Sequence, residues 1–161
     1  MRPPVIIERL TVRRGSAEAL TYVSSSVQRT AAAPGFADAL IEALPGLRSH
    51  TCLAGGGRTL HIAEELADTE TAHAVEHVAL ELLKVTAAPG ERTGFAGHTA
   101  WGTDRYGTDR FRVRVEAPDD VRGTAALVLA VDIVNAVLLA GDAKEAATGA
   151  LDALEGLRAI S

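Results

Sequence analysis

Apolar and polar positions alternate from Val5 to Arg13, between Pro3-Pro4 and Gly15, and this period of two predicts a strand. From Ala17 to Thr30 no single period holds, and Ser24-Ser25-Ser26 favours strand or loop over helix. Phe36, Leu40, Ile41 and Leu44 recur at helical spacing between the breaks Pro34-Gly35 and Pro45-Gly46. A short strand is expected from Leu47 to Leu53, then a flexible Gly55-Gly56-Gly57 loop, then a weakly ordered stretch from Thr59 to Asp68. Val75, Val78, Ala79, Leu82 and Leu83 form one stripe of a helix spanning 69–85, with Asp68 or Thr69 as its cap and Glu70 in its first turn. Strands are expected over 92–101 and 108–116, joined by a turn at 102–107. In the second, Phe111, Val113 and Val115 share one face, and Arg110, Arg112, Arg114 and Glu116 the other. Pro118-Asp119-Asp120 opens a helix running to about Leu139, capped by Asp119 or Asp120, and Gly141-Asp142 separates it from a last amphipathic helix, Ala143 to Leu157. This order predicts an α+β fold, an antiparallel sheet with helices packed mainly on one face, and puts helices 69–85 and 120–139 on the same side.

Composition narrows the class. With 47% apolar and 23% charged residues among 161, the chain is globular, and one domain over 1–161 is expected. The net charge of −5 and the lack of a basic stripe interleaved with aromatics argue against nucleic acid. Arg112 and Arg114 read as a solvated sheet face. The single cysteine, Cys52, excludes an internal disulfide and is compatible with the expected cytoplasmic location. The apolar run near the N-terminus is too short for a signal peptide. Val121 to Leu139 is the most apolar segment, but Arg122, Gly123, Asp132 and Asn135 interrupt it, so it reads as a buried core helix and no membrane association is expected. Gly55-Gly56-Gly57 lacks the following Lys-Ser/Thr of a phosphate loop.

The candidate chemistry lies on helix 69–85. His73-Ala74-Val75-Glu76-His77 is a His-x-x-Glu-His motif. A helix turns about 100° per residue, so the two histidines share a face, one turn (~5.4 Å) apart. Imidazoles so placed can both reach one zinc ion at ~2.0–2.1 Å, and Glu76 is positioned to take a proton from water. This is the arrangement of the inverted zinc peptidases. The apolar stripe lies roughly opposite, which leaves the histidines free of a packing duty. Glu81 shares the helix but stands about 12 Å along the axis from His73, too far to join both histidines on one ion. His50 and His61 read as ordinary hydrogen-bonded histidines, and Trp101 and Tyr106 as core aromatics rather than groove linings.

Leu44-Pro45-Gly46-Leu47, His50-Thr51-Cys52, the run from His73 to Leu82 and Val113-Arg114-Val115-Glu116 together resemble the N-terminal domain of cyanophycin synthetase, over roughly Phe36 to Val137. The most specific part is Glu76-His77-Val78-Ala79-Leu80-Glu81-Leu82. In that family the domain precedes an ATP-grasp domain and a Mur-ligase-like domain; neither is expected in these 161 residues. The resemblance implies engagement of cyanophycin, a poly-aspartate backbone carrying arginine side groups. In some members the domain is similar to zinc peptidases of the insulinase and mitochondrial processing peptidase type, and it cuts the polymer to make primers with its His-x-x-Glu-His motif. This chain departs from the family at Ala72, where Gly is usual, and at Gly57-Arg58-Thr59-Leu60 and Ala67-Asp68-Thr69, which replace Gly-Gly-Phe and Gly-Thr motifs.

Glu116 is the expected third metal ligand, because it ends a strand just before the long helix and matches a family glutamate. Asp120 and His98 are the alternatives, and paired charge with Arg112 or Arg114 is the competing role for Glu116. Two functions follow as expectations. One is a zinc-dependent hydrolase of peptide or amide bonds, with Glu76 as base and a peptide or cyanophycin-like polymer as substrate. The other is a non-catalytic binding or assembly module. A homo-oligomer or a separate ligase partner is compatible with either.

Overall fold

A computed structural model describes residues 2–53, 57–102 and 107–160. Most of the Gly55–57 loop, Tyr106 and most of the expected turn at 102–107 therefore lie outside the described residues. The strands are β1 (Val5–Arg13), β2 (Ser16–Val23), β3 (Thr51–Leu53), β4 (Thr59–His61), β5 (Gly97–Trp101) and β6 (Arg110–Glu116). The helices are α1 (Phe36–Ala43), α2 (Ile62–Glu65), α3 (Thr71–Val85), α4 (Asp120–Leu138) and α5 (Ala143–Ala159). Strands β1-β2-β6-β5 form an antiparallel sheet, and β3-β4 a small hairpin sheet beside it. The fold is the single α+β domain expected.

Strand parity decides which side is covered. Val115, Val113 and Phe111 of β6 stand opposite Ala17, Ala19 and Thr21 of β2, and all six are buried. On this face α3 lies against β5 and β6, α4 against β1 and β2, and the two helices pack on each other. Small residues set the approach: a Cβ on Gly123 would come within 2.7 Å of the Ala117 Cβ and 3.3 Å of the Ala17 Cβ. Helix α4, at 19 residues, has the length and composition of a membrane span. Its row Ala126, Leu127, Ala130, Ile133 and Val134 is nonetheless buried in the core, and Asn135 bonds both the N–H and the C=O of Val5 (2.9 and 2.8 Å).

Several elements differ from the sequence reading. Residues 45–49 form a 3-10 turn rather than strand, so only 51–53 is extended. The strand expected from Arg92 starts at Gly97. The N-cap of α3 is Glu70, without a side-chain cap bond, because Asp68 pairs with Arg29 and Thr69 turns its hydroxyl to His73. Asp119 caps α4 as expected, accepting from the Arg122 N–H. Helix α3 is enclosed on nearly every side. His77 is buried as deeply as the apolar stripe, since the 45–53 segment and β5 cover the edge the sequence left open.

Arg122 holds the entry of α4. Its buried guanidinium bonds both carboxylate oxygens of Glu91 (2.6 and 3.0 Å) and one of Asp119 (2.5 Å). The Arg122 side chain and the Ala88 N–H hold Glu91 below the usual carboxylate range. Burial alone would raise Asp119, but the Arg122 backbone N–H and guanidinium outweigh it. Carboxylates with depressed folded values stabilise the fold above their unfolded pKa, and that contribution is lost as pH falls through the folded values. Arg122→Met should therefore destabilise the fold at pH 7, with the gap to the parent narrowing as pH falls below about 4. Urea unfolding at pH 7 and pH 3 measures both; a gap independent of pH would contradict the ion-pair account.

Candidate metal centre

Three elements bring the site together. Helix α3 supplies His73, Glu76, His77 and Glu81; the segment after the 45–49 turn supplies His50 and Cys52; β5 supplies Gly97 and Thr99. The two motif histidines turn their Nε2 atoms to one another at 3.1 Å. The other ring nitrogens are engaged: His73 Nδ1 lies 3.0 Å from Thr69 Oγ1, and His77 Nδ1 lies 3.1 Å from His50 Nδ1. His50 Nε2 in turn lies 2.6 Å from Glu81 Oε2. Burial, then the neighbouring charges of His73 and His50, push His77 down to about 3, so its ring is neutral near pH 7.

The two imidazoles face each other with nitrogens that can be shared by one proton or one cation. Tetrahedral zinc with Zn–N bonds of ~2.0–2.1 Å sets two ligand nitrogens about 3.3 Å apart, close to the separation found. Cys52 joins this pair: one ligand atom from each of Cys52, His73 and His77 fits within 4.8 Å of the others. Cys-His-His is a donor set suited to zinc. Cys52 also donates to Glu65 Oε2 at 3.3 Å, and burial followed by that bond pushes its thiol up to about 11.

Glu76 is 6% exposed and stands between α3 and β5. Thr99 Oγ1 donates to its Oε2, and Gly97 leaves room for it, since a Cβ there would meet Glu76 Oε1 at 2.6 Å. Burial raises its pKa, opposed by the Thr99 bond and by the charges of His73 and His98. All of this opens on a cavity of about 660 Å³ walled by Leu80, Phe95 and Trp101, with Glu65 and Glu70 at its edge. Trp101 is half-exposed there, its ring 4.4 Å from Phe111, so it lines the groove rather than the core expected for it.

Glu116 is not brought to this group. It alternates with the inward Val115 and so faces the outer side of β6, where Arg92 and the Ala96 N–H hold it and keep its pKa low, the Ala96 bond contributing most. Neither Glu116 nor the exposed Asp120 lines the cavity. His98 does, but in register it stands opposite Arg114, alternating with Gly97 and Thr99. Cys52, His50 and Glu81 are the residues that sequence reasoning left out of the site. The local signals for them are the i,i+4 spacing of His77 and Glu81 and the His50-Thr51-Cys52 run that carries part of the family resemblance.

The fold and site define an α+β domain whose sheet-backed helix carries a histidine–carboxylate cluster at a groove. Known proteins give this class a family. The profile of the Cyanophycin synthase-like N-terminal domain matches residues 19–139, three quarters of the chain, and the protein belongs to that family. The cyanophycin synthetase of Trichormus variabilis is 44% identical over 64 residues, 38% of this chain and 6% of that protein. That of Crocosphaera subtropica is 47% identical over 58 residues, 35% of this chain and 6% of that protein. The chain thus matches only a small part of these relatives. Strand β1 and helix α5 fall outside the matched family span, yet pack against β2, which straddles its start, and α4 within it.

Proposed function

We propose that the protein is a zinc-dependent hydrolase of amide bonds in a cyanophycin-like polymer or peptide. The observation that carries this reading is the pair of Nε2 atoms 3.1 Å apart, with both Nδ1 atoms already engaged and a cysteine sulfur beside them. His73, His77 and Cys52 would hold the ion, with Cys52 in the place expected for Glu116. When bound, zinc supplies Lewis-acid polarisation of the scissile carbonyl. Glu76 takes the proton of the attacking water and passes it to the leaving amine, and burial, by raising its pKa, makes it a stronger base for that step. The cavity walls hold the chain: Trp101 and Phe95 offer apolar faces, and Glu65 and Glu70 suit cationic side groups such as arginine. A thiol ligand needs a reducing compartment, which agrees with the cytoplasm. A second copy or a separate ligase would complete a polymer pathway around this domain.

The burial of Glu76 and its bond to Thr99 favour a second reading, a binding module that keeps the cluster without turnover. Elemental analysis and assays on arginine-decorated poly-aspartate separate the two. The hydrolase predicts one zinc per chain and release of shorter polymer; the module predicts binding with no cleavage. His73→Ala should lose most of its zinc while keeping a cooperative thermal transition, because the ring is only partly buried. Full zinc occupancy in that variant would remove His73 from the ligand set.

A further inference from the structure

Glu81 and His50 are absorbed by none of the steps above, yet they occupy the best-enclosed polar position beside the site. Glu81 is 3% exposed, and His50 is the group that reaches it at hydrogen-bond distance. Lys84 Nζ stands farther off, at 3.8 Å, and is half in solvent. The space for the carboxylate is made by Gly46, where a Cβ would overlap Glu81 Oε1 at 1.6 Å. A buried carboxylate only 2.6 Å from an imidazole nitrogen requires a proton between them. A donor at His50 Nε2 satisfies that carboxylate, and in a singly protonated ring it leaves His50 Nδ1 as the acceptor. The atom facing it, at 3.1 Å, is His77 Nδ1, which must then be the donor. With hydrogen on Nδ1, His77 Nε2 is a bare lone pair, and this is the atom aimed at His73 Nε2.

We propose that Glu81, acting through His50, is a positioning residue that fixes the tautomer and ring orientation of His77 so that its Nε2 is always free to ligate. His73 has no such device. Its Nδ1 faces the Thr69 hydroxyl, which can donate or accept. His77 is thus the fixed arm of the cluster and His73 the adaptable one. A carboxylate behind a ligand histidine is a familiar arrangement; here a second histidine is interposed, which lets a residue one turn along the same helix orient its neighbour although it cannot reach the ion. The ligand role of His77 rests on the function proposed above, but its tautomer does not.

The test therefore has two arms. Nitrogen-15 NMR of the imidazoles in the metal-free protein, at a pH where they are neutral, should find hydrogen on Nδ1 of His77 and on Nε2 of His50. In Glu81→Gln, which keeps the volume and removes the charge, both rings should become tautomeric mixtures, and His73, whose Nε2 faces that of His77, should follow. Titration with Zn²⁺ should then give a dissociation constant 10–100-fold weaker in Glu81→Gln and in His50→Gln, with little loss of thermal stability in either. Hydrogen on Nε2 of His77 in the parent would overturn the proposal outright, as would an unchanged tautomer in a folded Glu81→Gln. A parent protein that binds no Zn²⁺ sinks the hydrolase reading alone, and the NMR arm still decides the relay.

Discussion

Glu76→Gln should abolish most polymer cleavage while leaving zinc content unchanged. Glutamine preserves the volume between α3 and β5 and can still accept the Thr99 hydroxyl, so the packing around Gly97 is kept. What it cannot do is accept a proton. Proton transfer by a positioned group is commonly worth about 10²–10⁴-fold, so kcat should fall by at least that much. Burial holds Glu76 above the usual carboxylate range, which brings it nearer to neutrality and makes it a better-matched acid for the leaving amine. Rate and metal must be measured on the same preparation. Loss of both together would make Glu76 structural, and undiminished turnover would refute its role as base. A binding module predicts no turnover even in the parent.

How much of this could be read beforehand depended on whether the signal was local. β6 was legible because its two faces differ: Phe111, Val113 and Val115 are buried, and the arginines between them are not. β2 was not, because Leu20 on the opposite face is also buried, in register between Arg9 and Arg112, and the inward residues are small or polar: Ala17, Ala19 and Thr21. Burial on both faces erases the alternation. The motif helix was legible from its stripe, and His73, Glu76 and His77 from their spacing. Their neighbours were not. Cys52 and His50 arrive from a segment more than twenty residues away, placed by the 45–49 turn and the β3-β4 pairing, which leave no periodic trace. Glu116 ends a strand just before the long helix and matches a family glutamate, but one residue beyond Val115 it points to the other face, where Arg92 and the Ala96 N–H hold it. Glu81 is too far from His73 for direct ligation, and it meets the motif only through the intervening His50.

The same parity yields the second large effect, a contrast between Cys52 and Glu116. Cys52→Ala removes one of the three side chains that converge, so zinc affinity should fall by more than the 10–100-fold typical of losing a supporting partner. Glu116→Gln should leave affinity within a factor of two or so, because that carboxylate is taken up by Arg92 and the Ala96 N–H on the outer face; its loss trims only an exposed ion pair, worth about 0–1 kcal/mol. Proton release distinguishes the two ligands further. The Cys52 thiol, pushed up to about 11, holds its proton at neutral pH and must surrender it to ligate. Affinity should therefore rise with pH, by up to about tenfold per unit between pH 6 and 8, and Cys52→Ala should flatten that slope. His77, already neutral, adds nothing to it over this range. Glu116, held below the usual carboxylate range, would also release no proton there, so a pH-independent affinity that drops in Glu116→Gln would restore Glu116 as the third ligand. Competition titrations with a chromophoric chelator at three pH values, on the parent and both variants, read every one of these outcomes.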